Sequence, residues 1–247
     1  MRVALFVPCY VDQFYPQVAV ATLELLEKVG VAVSYPEKQT CCGQPMANAG
    51  FEHLTTATNE HFIQNFSNVD YIVAPSGSCV LHIKHHLHGS EKNSAAVDSI
   101  KSKIFELTEF LTDIIQVKKL NARFPHRIGL HQSCHGQRGL MLAQMSERVA
   151  PPFSKAKSLL KMVDSLEIVS LSRKDECCGF GGTFCVTEES VSVKMGVDRI
   201  ADHVSHGVEY ITGSDMSCLM HLEGILRKNK SKTKVTHIAE ILNASAI

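Results

Sequence analysis

The sequence passes through the same series of segments twice, and this internal repeat is the feature that most constrains its fold. In each half, apolar segments typical of strands alternate with segments of helical spacing. Such alternation predicts parallel β-α-β units joined by right-handed crossovers. We therefore expect an α/β protein with two pseudo-repeated domains, residues 1–122 and 123–247, each a small parallel sheet flanked by helices.

The apolar pattern also places individual elements. Single long helices are expected over residues 47–66 and 95–117. A short additional strand is expected in the second half alone, before its last helix. The predicted strands are residues 2–8, 31–35, 71–74, 127–131, 166–171, 209–212 and 234–236.

Eight of the nine cysteines follow the repeat. In each half, one cysteine follows the first strand, a Cys-Cys-Gly sequence follows the second, and one cysteine follows the third. The carboxyl ends of parallel strands meet at one edge of a sheet, where open α/β sheets bind ligands, so we expect four thiols to converge in each half. The first set is Cys9, Cys41, Cys42 and Cys79, and the second set is Cys134, Cys177, Cys178 and Cys218.

Four convergent thiolates are typical of an iron–sulfur site or a tetrahedral zinc site. Structural zinc usually takes closely spaced Cys pairs, whereas these ligands come from three separate loops, which favours a larger cofactor. Two other interpretations stay open: buried structural thiols, and a strained, easily reduced disulfide within a vicinal pair. Cys185 has no counterpart in the first half, where Ala49 stands, and is expected to be a small buried residue rather than a ligand.

Composition excludes several classes of protein. Lys+Arg and Asp+Glu are 25 each, which argues against a protein that coats nucleic acid, and there is no Trp for base stacking. No uncharged apolar run approaches the roughly 18 residues of a membrane span, and the N-terminus does not resemble a signal peptide. We expect a cytoplasmic protein, where abundant cysteine is more typical of metal or redox sites than of disulfides.

Several specific stretches resemble the lactate-utilization protein A family of cysteine-rich (CCG) domain proteins, which is related to the heterodisulfide reductase B subunit and the glycolate oxidase iron–sulfur subunit. The resemblance covers nearly the whole chain. It is carried by residues 41–45 (Cys-Cys-Gly-Gln-Pro), 75–79 (Pro-Ser-Gly-Ser-Cys), 177–184 (Cys-Cys-Gly-Phe-Gly-Gly-Thr-Phe), 217–220 (Ser-Cys-Leu-Met) and 237–242 (His-Ile-Ala-Glu-Ile-Leu).

This resemblance implies two CCG domains and an iron–sulfur electron-transfer subunit of a complex that oxidises L-lactate to pyruvate. It also implies that the repeated cysteines ligate an iron–sulfur cluster. Four cysteines in each half predict a four-iron, four-sulfur (4Fe–4S) cluster, with zinc as an alternative occupant of one site. Heterodisulfide-reductase-type members carry a final Cys-x-x-Cys pair, but Ser76 and Asp215 stand at its first position here. Four cysteine ligands therefore remain in each half.

No side chain is predicted to act as a catalyst. We expect an oxidoreductase subunit that is inactive on lactate alone and that works with the other subunits of the complex. The alternatives are a thiol–disulfide oxidoreductase acting through a vicinal Cys pair, and a zinc-stabilised binding scaffold. His82, His85 and His86 are expected on a solvated helical face. His131 and His135 flank Cys134, and two roles stay open for them: a hydrogen bond to a cluster sulfur, or local packing.

Overall fold

The computed structural model describes residues 1–245. The chain divides into two compact units, Met1–Ile115 and Gln116–Ile247. The expected boundary after residue 122 lies a few residues farther along, in the irregular segment that leads to the first strand of the second unit.

The first unit contains a four-stranded parallel sheet. Its strands are β1 (Val3–Leu5), β2 (Val33–Ser34), β3 (Tyr71–Ala74) and β4 (Ile104–Glu106). Their order is β2-β1-β3-β4, so β1 and β3 lie in the middle. These two strands are buried almost throughout because helices cover the sheet.

Helices of the first unit follow the strands as crossovers. The longest, α2, buries Val18, Ala21, Leu25 and Leu26 on one face, as its spacing predicts. The helices are α1 (Cys9–Phe14), α2 (Pro16–Lys28), α3 (Gln44–Asn48), α4 (Thr56–Phe66), α5 (Gly77–His86), α6 (Ser94–Lys103) and α7 (Leu107–Glu109), with 3-10 turns at Glu52–Leu54 and Glu91–Asn93 and a π turn at Phe110–Ile114.

The second unit repeats this topology. Its strands are β5 (Arg127–Leu130), β6 (Glu167–Val169), β7 (Tyr210–Gly213) and β8 (Lys234–His237), all parallel, in the order β6-β5-β7-β8. Its helices are α8 (Lys155–Leu160), α9 (Phe184–Thr187), α10 (Glu189–Ser205), α11 (Met216–Lys228) and α12 (Ile238–Asn243), with a π turn at His135–Gly139. The predicted fold class, an α/β protein of two pseudo-repeated domains with small parallel sheets, is confirmed.

The chain crosses from one side of the first strand to the other in each sheet. The second strand lies on one side of the first, and the third strand lies on the other side. This arrangement opens a crevice at the carboxyl ends of the central strands, which is where open α/β sheets bind ligands.

Both predictions of a single long helix in the first half are wrong. The segment 47–66 is interrupted because Gly50 takes a φ of 86°, and α4 starts only at Thr56. The segment 95–117 is interrupted by β4, whose Ile104 pairs with Ile72 of β3. Pairing with β3 makes this segment a strand, and such long-range pairing cannot be recognised from the spacing of apolar residues in the sequence.

Within residues 1–245, no helix has the length and apolarity that crossing a membrane requires.

The buried central strands generate a first test. Val73 of β3 is 0% exposed, whereas Val20 of α2 is 53% exposed. We expect Val73→Ala to lower the free energy of unfolding by about 2 kcal/mol, since buried methyl groups are lost and a cavity remains. The same change at Val20 is expected to stay within about 0.5 kcal/mol. Equilibrium urea unfolding of the full chain measures both, and equal effects would contradict this packing.

Candidate metal centre

The four predicted cysteines of the first unit come together. Cys9 begins α1 directly after β1, Cys41 and Cys42 lie in the loop after β2, and Cys79 lies in the first turn of α5 after β3. The Cys9 thiol is within hydrogen-bonding reach of Cys41, Cys41 of Cys42, and Cys42 of Cys79. Three separate loops thus contribute to one continuous group of sulfurs.

The second unit repeats the group residue by residue. Cys134 follows β5, Cys177 and Cys178 follow β6, and Cys218 lies in the first turn of α11 after β7. Cys134 reaches Cys177, Cys177 reaches Cys178, and Cys178 reaches Cys218. In both units the first cysteine and the first of the vicinal pair are half-buried, and the other two are buried.

The turn in each Cys-Cys-Gly sequence requires a glycine. Gly43 and Gly179 take φ values of 90° and 88°, in the left-handed region that a side chain disfavours. This turn brings the N–H of Gly43 to 3.4 Å from the sulfur of Cys41, and the N–H of Gly179 to 3.4 Å from the sulfur of Cys177. Each glycine therefore supplies a backbone donor to the first sulfur of its vicinal pair.

The first sulfur of each vicinal pair, Cys41 or Cys177, is the one that favours negative charge. Hydrogen bonds from Cys42 and Cys9 lower the pKa of Cys41 to about 2, and hydrogen bonds from Cys134 and Cys178 lower the pKa of Cys177 to about 2. The donating thiols behave oppositely, because ionising them would break those bonds and because they are buried. The pKa is raised for Cys9, Cys42, Cys134 and Cys178.

Ser76 and Asp215, each three residues before the last cysteine of a group, stabilise the helices that follow them. Ser76 occupies the N-cap position of α5, and its hydroxyl accepts a hydrogen bond of 3.3 Å from the N–H of Cys79. Asp215 occupies the same position before α11, and its backbone carbonyl accepts from the N–H of Cys218 at 3.1 Å. Both residues thereby fix the helical turn that carries the last cysteine of each group.

The second group has a histidine beside it. His131, directly after β5, is 2% exposed, and one of its ring nitrogens lies within 4.8 Å of the sulfurs of Cys178 and Cys218. Arg199 of α10 donates from Nε to Nδ1 of His131 at 3.2 Å. Burial, reinforced by the positive charge of Arg199, lowers the pKa of His131 to about 3, so the ring is neutral.

Two further histidines occupy matching places. His82 and His221 each lie three residues after the last cysteine of a group. The expectation of a solvated face is wrong for His82, which is 5% exposed and stacks on His86 with ring centroids 5.0 Å apart. His82 favours the ionised form of Cys41 electrostatically, and His221 lies close enough to Cys177 to interact electrostatically as well. The shared spacing from Cys79 and Cys218 was the signal that could have identified them.

Cys185 lies outside the thiol chain of the second group. It belongs to α9, and its thiol donates to the carbonyl of Gly182 at 3.0 Å. Cys185 is only half-buried, so the expectation of a small buried residue is wrong.

The donor chemistry of both groups fits a thiophilic metal centre. Each group offers four sulfurs from cysteines, the ligand type that iron–sulfur clusters and structural zinc share. One sulfur in each group already favours the anionic state, and the others would lose their protons on binding a metal. The arrangement can hold a metal centre.

The family comparison covers both groups. Residues 3–84 and 128–223 match the family described as CCG, a cysteine-rich domain. The first matched segment contains the first set of cysteines, and the second contains the second set.

Curated relatives match over their whole length. A lactate utilization protein A of Exiguobacterium sp. is 41% identical over 247 residues, which cover 98% of this chain and 97% of the relative. A lactate utilization protein A of Geobacillus sp. (strain WCH70) is 38% identical over 248 residues, which cover 99% of this chain and all of the relative.

Among solved structures, a hypothetical protein from Helicobacter pylori superposes with a TM-score of 0.59 at 13% identity. The match covers 98% of this chain and 48% of that one, so this chain spans about half the length of its structural neighbour. This likeness shows the fold alone.

The Cys-Cys-Gly turn generates the second test. A Cβ at Gly179 would lie 2.6 Å from the carbonyl oxygen of Ser192 and 2.7 Å from Cβ of Met195, in addition to the strained φ. We expect Gly179→Ala to lower the free energy of unfolding by about 2 kcal/mol or more. Thermal unfolding measures the change.

Gly224 of α11 is the matched control. A Cβ there meets nothing within 4 Å, so Gly224→Ala is expected to stabilise the helix by up to about 1 kcal/mol. A Gly179→Ala variant as stable as the parent would contradict the role assigned to this turn.

Proposed function

Because this chain belongs to the lactate utilization protein A family of CCG cysteine-rich domain proteins, we propose that it is an iron–sulfur electron-transfer subunit of a complex that oxidises L-lactate to pyruvate. The curated relatives are named lactate utilization protein A, and they match this chain over nearly its full length. The cofactor and the electron-transfer role are inferences from the chemistry of the two cysteine groups. The proposed setting is the cytoplasm, as expected from the cysteine content.

One observation carries the proposal: each unit joins four cysteine sulfurs from three loops into one hydrogen-bonded group. The proposed ligands are Cys9, Cys41, Cys42 and Cys79 in the first unit and Cys134, Cys177, Cys178 and Cys218 in the second. Cysteine thiolates are the usual ligands of 4Fe–4S clusters, and four is the number that such a cluster takes.

The rival functions explain less of this arrangement. A thiol–disulfide exchange site needs two sulfurs, so a Cys41–Cys42 or Cys177–Cys178 pair would leave two equally well-placed sulfurs in each group without a role. A zinc scaffold accounts for all four sulfurs of a group, but structural zinc sites more commonly use two closely spaced pairs. Metal analysis separates zinc from iron directly.

An iron–sulfur cluster, when bound, accepts and donates single electrons. The chain's own residues have supporting tasks. The N–H groups of Gly43 and Gly179 donate to the sulfurs of Cys41 and Cys177 and so stabilise negative charge on them. Cys79 and Cys218 lie in the first turns of helices of ten and 13 residues, where the helix dipole favours a thiolate.

Partners are part of the proposal, because lactate oxidation releases two electrons. A hydride acceptor is normally a bound cofactor, and no flavin or nicotinamide fingerprint is recognisable in the sequence. Another subunit must therefore take the electron pair. The half-buried sulfurs of Cys9 and Cys41, and of Cys134 and Cys177, mark the side of each group from which electrons would pass to and from partners.

Replacement of one ligand in each group is the first test of this proposal. Cys42 and Cys178 are buried and contact two other thiols each. After anaerobic reconstitution, the parent should contain iron and acid-labile sulfide, and Cys42→Ser or Cys178→Ser should each remove about half of both. Iron and sulfide analysis with absorption spectroscopy measures the loss.

Cys185→Ser is the matched control and should leave the iron content unchanged, since its thiol bonds to the carbonyl of Gly182. Stoichiometric zinc without iron in the anaerobically reconstituted parent would sink the proposal. An iron loss in Cys185→Ser as large as that in Cys178→Ser would add Cys185 to the ligands.

Lactate oxidation by the isolated chain is the second test. The cluster-loaded chain alone should give no turnover with an artificial electron acceptor, because nothing in it takes a hydride. Turnover should appear when proteins that co-purify with the chain from its native cell are added. Robust turnover by the chain alone, abolished by Cys42→Ser, would make this chain the lactate-oxidising enzyme itself and overturn the subunit proposal.

A further inference from the structure

We propose that His131 donates an N–H hydrogen bond to a sulfur of the cluster held by the second cysteine group, that Arg199 fixes it in that role, and that the two metal centres are therefore chemically unequal. The inference rests on the proposed iron–sulfur function and extends it to the difference between the two sites.

The position of His131 is the first step. Its ring is buried beside the second group, with a nitrogen within 4.8 Å of the sulfurs of Cys178 and Cys218, the two buried cysteines. Nδ1 accepts from Arg199, which leaves Nε2 as the other polar atom of the ring. Within the described part of the chain, Nε2 is buried and has no hydrogen-bond partner. A buried polar atom without a partner is costly unless a bound group supplies one.

Arg199 decides which nitrogen carries the proton. A guanidinium group only donates hydrogen bonds, so Nδ1 of His131 must be the acceptor. A neutral imidazole whose Nδ1 accepts carries its proton on Nε2. The ring therefore offers an N–H on the side that is not held by Arg199.

The guanidinium itself cannot easily turn away. Arg199 is 0% exposed and also donates to the carbonyls of Arg173 at 2.6 Å and Leu130 at 3.3 Å, and to the carboxylate of Asp202 at 3.2 Å. Asp202 is held in turn by the backbone N–H groups of Ser172 and Arg173. Arg199 is thus a positioning residue, and the charge that it buries has its counter-ion beside it.

This geometry favours a donor over a metal ligand. An imidazole that ligates through Nε2 must lose the proton there, and a proton moved to Nδ1 would point at the N–H of Arg199. The four cysteines of the group already supply the ligands that a 4Fe–4S cluster takes.

The first unit has no counterpart to this donor. Phe6 stands three residues before Cys9, as His131 stands three residues before Cys134. Phe6 is 0% exposed and packs edge-on against Phe62 and Phe66, with ring centroids 5.0 and 5.7 Å apart. An apolar ring therefore occupies the place of the donor.

The two central strands of the second unit carry glycines next to buried histidines. A Cβ at Gly129 would lie 2.1 Å from Nδ1 of His203, and a Cβ at Gly213 would lie 2.7 Å from the backbone oxygen of His131. In the first unit, alanines occupy the corresponding strand positions, Ala4 and Ala74. In the second unit, glycine at these two positions leaves room for His203 and His131.

An N–H bond to a cluster sulfur stabilises the reduced cluster, which carries more negative charge, and so raises its reduction potential. The second cluster should therefore have a higher potential than it would with an apolar residue at position 131.

The experiment uses the full chain, reconstituted anaerobically, with three variants. His131→Phe installs the residue of the first unit, His131→Gln keeps an N–H donor, and His126→Phe makes the same aromatic change at the other end of β5. Potentiometric titration followed by electron paramagnetic resonance measures the midpoint potentials, and nitrogen hyperfine spectroscopy on histidine-labelled protein measures the coupling to the ring.

We expect His131→Phe to lower one midpoint potential while the iron and sulfide content stays unchanged. His131→Gln should lower that potential less, and His126→Phe should leave it unchanged. The parent should show a weak nitrogen coupling, as a hydrogen bond gives, and His131→Phe should lose it. If His131→Phe does not fold, His131→Leu compared with His131→Gln gives the same contrast.

Two results would overturn the inference while leaving the proposed function standing. An unchanged potential at full iron content would show that His131 makes no bond to the cluster. A strong nitrogen coupling in the parent, with half the iron lost in His131→Phe, would show that His131 is a ligand. A parent without iron would instead contradict the proposed function itself.

Discussion

Parallel pairing of the two central strands is the constraint on which both metal centres depend. β1 pairs with β3 and β5 pairs with β7, each in register from the first residue pair to the last. This register brings the cysteine after one strand next to the cysteine that follows its neighbour. The vicinal pair arrives from the other side of the first strand, since the sheet order places the second strand there. A shift in register would separate the sulfurs without changing a single ligand.

Topology explains why the sulfur groups were predictable from the sequence and why much around them was not. The repeated order of strand, cysteine and Cys-Cys-Gly needs only the rule that parallel strands share an edge. β4 escaped prediction because its residues continue a helical pattern. The end of α6 is fixed by long-range contacts: Lys103 is buried and donates to the carbonyls of Ser67 and Val69 at 2.7 and 2.9 Å.

Arg199 shows the same limit at the candidate site. A charged residue in a helix indicates a solvated face, yet Arg199 is wholly buried and bonds to a histidine 68 positions earlier in the chain. Its buried counter-ion, Asp202, lies three residues later on the same helix. In the sequence, an Arg and an Asp at this spacing resemble an ordinary ion pair on the surface of a helix. Neither residue belongs to the repeat, so comparing the halves could not reveal them. What the comparison does offer is the contrast of Phe6 with His131, which gains its meaning only when the surroundings of each ring are known.

The graded burial of the sulfurs has a consequence for how a centre could be filled and damaged. In each group, the sulfur that follows the first strand and the first sulfur of the vicinal pair are half-buried, and the other two sulfurs are buried. Solvent reaches the half-buried sulfurs more easily than the buried ones, so we expect iron that enters a group to meet them first. Oxidants also reach the half-buried thiols more easily. In a chain without a bound cluster, Cys9, Cys41, Cys134 and Cys177 would therefore be oxidised before the buried cysteines. Oxidation of those half-buried thiols would leave each group with only its two buried sulfurs as ligands.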